Sequence, residues 1–147
     1  MPVILPRWVQ RTGWALHRGI HAASGGRLGT FRPGPTRLGT LFLETTGRRT
    51  GTLRRTGLAY VEDGPNVAIV VSNAGADTDP AWWLNLRARP EAAIEIGGTR
   101  QAVRARRATP DEDVRLWPRF VLGYSAYAEY RRATTRDIPI VILEPAT

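Results

Sequence analysis

From Leu38 onward the chain alternates apolar and polar positions in short runs separated by turn residues, which is the period of half-buried β-strands. The pattern predicts strands over residues 38–45 and 53–62. The turn EDGPN then leads into residues 67–72, an apolar run rich in β-branched side chains. Residues 92–96 and 99–106 read as a hairpin around Gly97 and Gly98, and 138–143 (IPIVIL) as a closing buried strand. Helical signals are fewer. Asp79 is placed to cap a short helix with Pro80 at its first position, carrying Trp82, Trp83, Leu84 and Leu86 and ending before Pro90. Thr109, Pro110 and the acids 111–113 start a longer helix running to about Arg132, with a bend expected at Pro118. About six strands with few helices between them argue against a doubly wound parallel sheet and for a mostly antiparallel barrel with peripheral helices.

Upstream, residues 6–23 place Trp8, Val9, Thr12, Leu16, Ile20 and Ala23 on one helical face and Arg7, Arg11 and Arg18 opposite. This basic amphipathic helix fits packing on the barrel or on a second subunit, and it also fits peripheral contact with a membrane. Residues 24–39 form a glycine- and proline-rich linker, so the chain divides into an N-terminal helix and linker (1–37) and a barrel domain (38–147). No signal peptide and no ~20-residue apolar span is expected, which points to a cytoplasmic protein.

Composition narrows the chemistry. There is no cysteine, which excludes disulfides, thiolate metal sites and cysteine nucleophiles. The net charge of +8 invites a nucleic-acid partner, but all 21 basic residues are arginine, a bias typical of G+C-rich coding. Only the placement of the arginines therefore informs. Tryptophans and tyrosines fall on predicted helices rather than between arginines along a strand face, so no nucleic-acid partner is expected. His17 and His21 stand at i, i+4 without a recognisable third ligand, and no metal site is expected.

Three constellations remain. Arg48, Arg49, Arg54 and Arg55 crowd the turn TTGRRTGTLRRTG, where Gly47 and Gly51 could turn backbone amides toward one anion and the guanidiniums could clamp it; a solvated turn is the plain alternative. The loop SNAGADTD ends at a helix N-terminus, with Ser72 and Asn73 at a strand end where ligand groups often sit. Tyr124, Tyr127 and Tyr130 form a stripe at i, i+3, i+6 that suits a planar carbonyl or nitro compound, though such stripes more often pack in cores. With no Ser-His-Asp, paired-carboxylate or zinc pattern, an enzyme built this way must borrow a cofactor.

The segments LETTGRRTGTLRRTGLAYVEDG, VVSNAGADTDPAWWLNLRARPE, ARRATPDEDVRLWP and YSAYAEY…IPIVILEP, in series from about Leu41 to Pro145, resemble the deazaflavin-dependent nitroreductase family. The resemblance implies a mainly β (α+β), FMN-binding-like split β-barrel and, as cofactor, reduced coenzyme F420, whose phosphate, lactyl carboxylate and polyglutamate tail need a cationic groove. It implies cofactor contacts from Arg48, Arg49, Arg54, Ser72, Asn73, Gly75, Ala76, Asp77, Pro80, Ala81, Trp82 and Asn85. Ser72, Tyr124, Tyr127 and Tyr130 fall at positions near the substrate. The implied reaction is hydride transfer to a small electron-poor acceptor, a quinone, an enone or a nitroaromatic. Ala59 stands where a nitroreductase of that family carries a tyrosine, implying a wider pocket, and Asn73 replaces a basic residue of some relatives. Rival readings are a non-catalytic binder of F420, a fatty acid or another planar ligand, and a flavin mononucleotide oxidase. A monomer is favoured over a dimer.

Overall fold

The alternating runs close into a barrel. In the computed structural model, which describes residues 29–146, the strands are β1 (Gly39–Thr46), β2 (Leu53–Asp63), β3 (Asn66–Val70), β4 (Glu91–Ile96), β5 (Thr99–Arg107) and β6 (Ile140–Pro145). They pair antiparallel in the closed order β1-β2-β3-β6-β5-β4, β4 returning to β1 through Leu43 opposite Ile94. Helix α1 (Ala81–Ala88) lies between β3 and β4, and α2 (Pro110–Gly123) and α3 (Ala126–Ala133) between β5 and β6. The predicted helix over residues 6–23, with its membrane contact, and the His17/His21 pair lie outside the described residues. Among the described residues no helix is long and apolar enough to cross a membrane.

The period of two sorts the apolar residues into two cores. Leu41 and Leu43, Val67 and Ile69, Ile94, Val103, Val141 and Leu143 point into the barrel, where Trp82 and Leu86 of α1 pack against them. The opposite parity (Val61, Ala68, Val70, Ile140 and Ile142) faces outward and is covered by Leu116, Phe120, Tyr127 and Tyr130 of the helix pair. Each such aliphatic side chain taken fully out of water contributes about 1.5–3 kcal/mol. β3 and β6 are buried on both faces, which is why they read as unbroken apolar runs rather than alternating ones.

Two helical expectations are corrected. The helix begun at Thr109 starts as expected, with a reciprocal capping box: the Thr109 hydroxyl accepts from the Glu112 amide at 3.2 Å, and the Glu112 carboxylate accepts from the Thr109 amide at 2.9 Å. It does not run through to Arg132, however. It passes Pro118 and stops at Gly123, because Tyr124 is extended (φ −153°, ψ 95°), and α3 starts afresh. Asp79 does not cap α1. Pro80 occupies the N-cap with no side-chain cap bond, and the Asp79 carboxylate pairs instead with Arg136 at 3.0 Å. A charge-assisted bond to a buried guanidinium outcompetes bonds to helix amides.

Candidate active site

One cavity of about 1110 Å³ opens along β2, between the β1–β2 turn, the 72–82 segment and the helix pair. Its lining follows β2 from Arg54 to Ala59, a run of roughly 17 Å at strand rise. The arginine turn stands at one end. Beyond Ala59, Val61 joins the tyrosine-bearing core, so the aromatic cluster stands at the other. The volume lies just above the range of about 300–1,000 Å³ for small-molecule sites, room for more than one planar ligand.

At the cationic end, Arg48, Arg49 and Arg54 have no carboxylate partner among the described residues, and no Asp or Glu lines the cavity. The surrounding arginines are paired: Arg55 with Glu95, Arg100 with Glu44, Arg104 with Glu91 and Arg136 with Asp79. Arg55 also stacks on the Phe42 ring, its guanidinium carbon 4.4 Å from the centroid. Three guanidiniums on one cavity wall with no carboxylate to neutralise them are what an anion site requires.

The amides of both turn glycines and of Arg48 are engaged within the protein. The Gly47 amide donates to the Thr52 carbonyl at 2.7 Å and the Gly51 amide to the Gly47 carbonyl at 2.8 Å, closing the turn on itself with Gly51 at φ +74°. The Arg48 amide donates to Asn85 Oδ1 at 3.2 Å. Asn85, placed among the cofactor contacts by sequence, is 3% exposed; it also accepts from the Arg48 guanidinium at 3.1 Å and donates to Thr45 Oγ1 at 3.1 Å. It holds the turn from beneath while itself lining the cavity.

Of the loop residues, Ser72, Asn73, Pro80, Ala81 and Trp82 line the cavity, whereas Gly75, Ala76 and Asp77 do not. Asp77 accepts from Thr134 Oγ1 at 2.7 Å, and the Asn73 carboxamide donates across the loop to the Thr78 carbonyl at 2.8 Å. Asn73 (φ 42°) and Ala74 (φ 54°) are both left-handed, which turns the chain sharply beneath the cavity.

The break at Tyr124 reshapes the tyrosine stripe. A continuous helix would separate residues six apart by about 9 Å of rise. Instead the Tyr124 and Tyr130 hydroxyls meet at 3.1 Å, and the rings of Tyr124 and Tyr127 meet edge to face with centroids 5.1 Å apart. Burial pushes the Tyr127 and Tyr130 phenols above their ordinary range, so both stay protonated donors. Thr56, Gly57 and Leu58 also line the cavity; strand periodicity alone does not single them out. Sequence reasoning also missed Arg136, whose partners lie some sixty residues away.

Known proteins resemble this chain in sequence and in fold. Residues 14–145 match the family model described as F420H(2)-dependent quinone reductase. An F420H(2)-dependent quinone reductase of Mycobacterium tuberculosis is 37% identical over 95% of this chain and 97% of its own. A solved structure of an F420-H2 dependent reductase superposes with a TM-score of 0.65 at 32% identity, covering 71% of this chain and 93% of that one. Another, described as a domain-swapped dimer, gives a TM-score of 0.68 at 28% identity over 94% of this chain and 98% of that one.

Proposed function

This chain belongs to the F420H(2)-dependent quinone reductase family, and from that premise we propose that it transfers a hydride from reduced coenzyme F420 to a quinone held against the tyrosine cluster. The observation that carries the reading is the polarity of the cavity: three arginines without acidic partners at one end, no carboxylate on the lining, and an aromatic end with protonated phenols.

The residues present fit the coenzyme. Arg48, Arg49 and Arg54 would hold its phosphate and carboxylate groups, with Asn85 fixing the turn from below. Pro80, Ala81 and Trp82 offer a mostly apolar wall suited to a flat ring. The reduced coenzyme, once bound, supplies the hydride. What the chain adds is position and a proton. Leu38, Ala59, Val70 and the tyrosines form an apolar slot that excludes water and holds a planar acceptor in place.

When a quinone accepts a hydride, negative charge develops on its carbonyl oxygen. The hydroxyls of Ser72 and Tyr127 line the cavity without a protein hydrogen-bond partner among the described residues. They are placed to donate to that oxygen and to relay to it the one proton, resupplied from solvent, that completes the hydroquinone. Nitroaromatics and enones place the same demand on the site; the width left by Ala59 favours the broader quinone.

The test mixes the protein with reduced F420 and menadione and follows oxidation of the coenzyme, beside Tyr127→Phe and Ser72→Ala. Turnover by the wild type that falls about ten- to a hundredfold in either variant, with coenzyme affinity kept in Tyr127→Phe, supports the reading. Coenzyme binding without turnover of menadione, an enone or a nitroaromatic would make the protein a non-catalytic binder. The relative that forms a domain-swapped dimer favours a dimer here over the monomer expected from sequence, and sedimentation equilibrium measures this directly.

A further inference from the structure

Arg136 has the densest polar environment of any arginine described, and its side chain is only 10% exposed. Its guanidinium donates to the carbonyls of Ser72 (2.8 Å), Val71 (2.9 Å) and Ala76 (3.0 Å), to Asp79 Oδ1 (3.0 Å) and to its neighbour Asp137's carbonyl (3.3 Å). These partners bracket the loop that carries Ser72, Asn73 and Ala74 under the cavity. Two residues upstream, Thr134 donates to Asp77 in the same loop. Arg136 itself follows α3, the helix of Tyr127 and Tyr130, by three residues.

The planar fork explains why this residue is an arginine. Several divergent N–H groups reach four carbonyls and a carboxylate at once, which a single ammonium cannot do. The loop needs such a fixture, because Asn73 and Ala74 hold left-handed conformations that non-glycine residues leave unless their surroundings impose them.

We propose that Arg136, paired with Asp79, is a positioning residue that sets the distance between the two walls of the acceptor slot, the Ser72 loop and the tyrosine helix. Arg136 lines the reverse side of the loop and not the cavity, so it acts through Ser72 and the Asn73–Ala74 backbone. The catalytic part of this proposal rests on the reductase reading above.

Arg136→Lys and Asp79→Asn test it, with Arg136→Met as the severe variant; the first two keep the site folded if the last does not. Amide hydrogen exchange of residues 73–78 should quicken about tenfold or more in each, with the amides of β3 and β6 unchanged, since local opening is separable from global unfolding. kcat with menadione, at saturating reduced F420, should fall about tenfold to a hundredfold, as expected for a displacement near 1 Å. Arg136→Lys should retain more activity than Arg136→Met. Unchanged exchange in the loop overturns the proposal, as does equal loss of protection through the whole barrel, which would mark a purely structural residue. A wild type that turns over no quinone would overturn the reductase reading instead, and the exchange measurement would still decide whether the clip exists.

Discussion

Asn85 receives Arg48 twice, accepting from its backbone amide at 3.2 Å and from its guanidinium at 3.1 Å. A buried carboxamide on α1 thereby fixes the direction of a cation on the β1–β2 turn, and its own NH₂ is anchored on Thr45. Replacing Asn85 by alanine leaves the Arg48 amide and the buried Thr45 hydroxyl without these partners. The expected cost is about 1–3 kcal/mol of stability in urea denaturation, with F420 affinity about tenfold weaker by tryptophan quenching. Unchanged affinity would mean that Arg48 needs no such anchor.

The arginines at the cationic end should behave in the opposite way. In the folded protein Arg48→Ala/Arg49→Ala/Arg54→Ala removes no ion pair and relieves like-charge repulsion, which offsets the one Arg48 guanidinium bond lost at Asn85, so stability should stay within about 1 kcal/mol. Coenzyme affinity should fall at least about a hundredfold, each charge-assisted contact being worth about 1.5–3 kcal/mol, and its dependence on salt should flatten. Titration at two ionic strengths reads both effects. Flavin mononucleotide run in parallel would expose an oxidase-type preference if it bound more tightly.

Acid should find the N-terminus of α2. Bonds from Arg106 first, then from the Thr109 amide, hold the Glu112 carboxyl well below its ordinary 4.5, down to about 2. A carboxylate with a depressed folded pKa stabilises the fold fully above its unfolded value, and that contribution fades as pH falls from about 4.5 through about 2. Urea midpoints measured at pH 7, 4 and 2.5 should therefore decline for the wild type across that window. Glu112→Gln should start lower at pH 7 and decline less; parallel declines would assign the acid sensitivity to other carboxylates, Asp63 with Arg115 among them.

Leu38 lines the acceptor end and sits directly on Gly123, where a Cβ would come within 2.5 Å of the Leu38 Cγ. Gly123→Ala should therefore push Leu38 out of place, costing about 1–3 kcal/mol as an overpacked contact and altering KM for menadione. Adding Leu38→Ala should recover part of the stability. Additive losses in the double variant would show that the two residues do not meet.

Much of this molecule was legible one segment at a time. Each of the six strands lies within a few residues of its expected position, because inward and outward parity along a strand is a local property that each pair of neighbours carries. The Thr109–Glu112 start of α2 was equally local. The cluster at Arg48, Arg49 and Arg54 could be seen as unusual before any fold was known, and so could the tyrosine stripe. What tertiary structure alone decided are matters of distance across the chain. Only closure of β4 onto β1 and the seating of α1 bring Asn85 beneath the turn, and only the full set of ion pairs shows which arginines are left without an acid. The stop at Gly123, with Tyr124 extended, turned a drifting stripe into a three-ring cluster although Pro118 was the visible breaker, and Leu38, eighty-five residues earlier, fills the space beside that glycine. Asp79 looked like a cap for the helix beside it until Arg136 arrived from the far end of the chain. A local preference for a cap is worth about 1 kcal/mol, and a buried charge-assisted bond from a distant residue exceeds it, so the fold decides which partner a carboxylate takes.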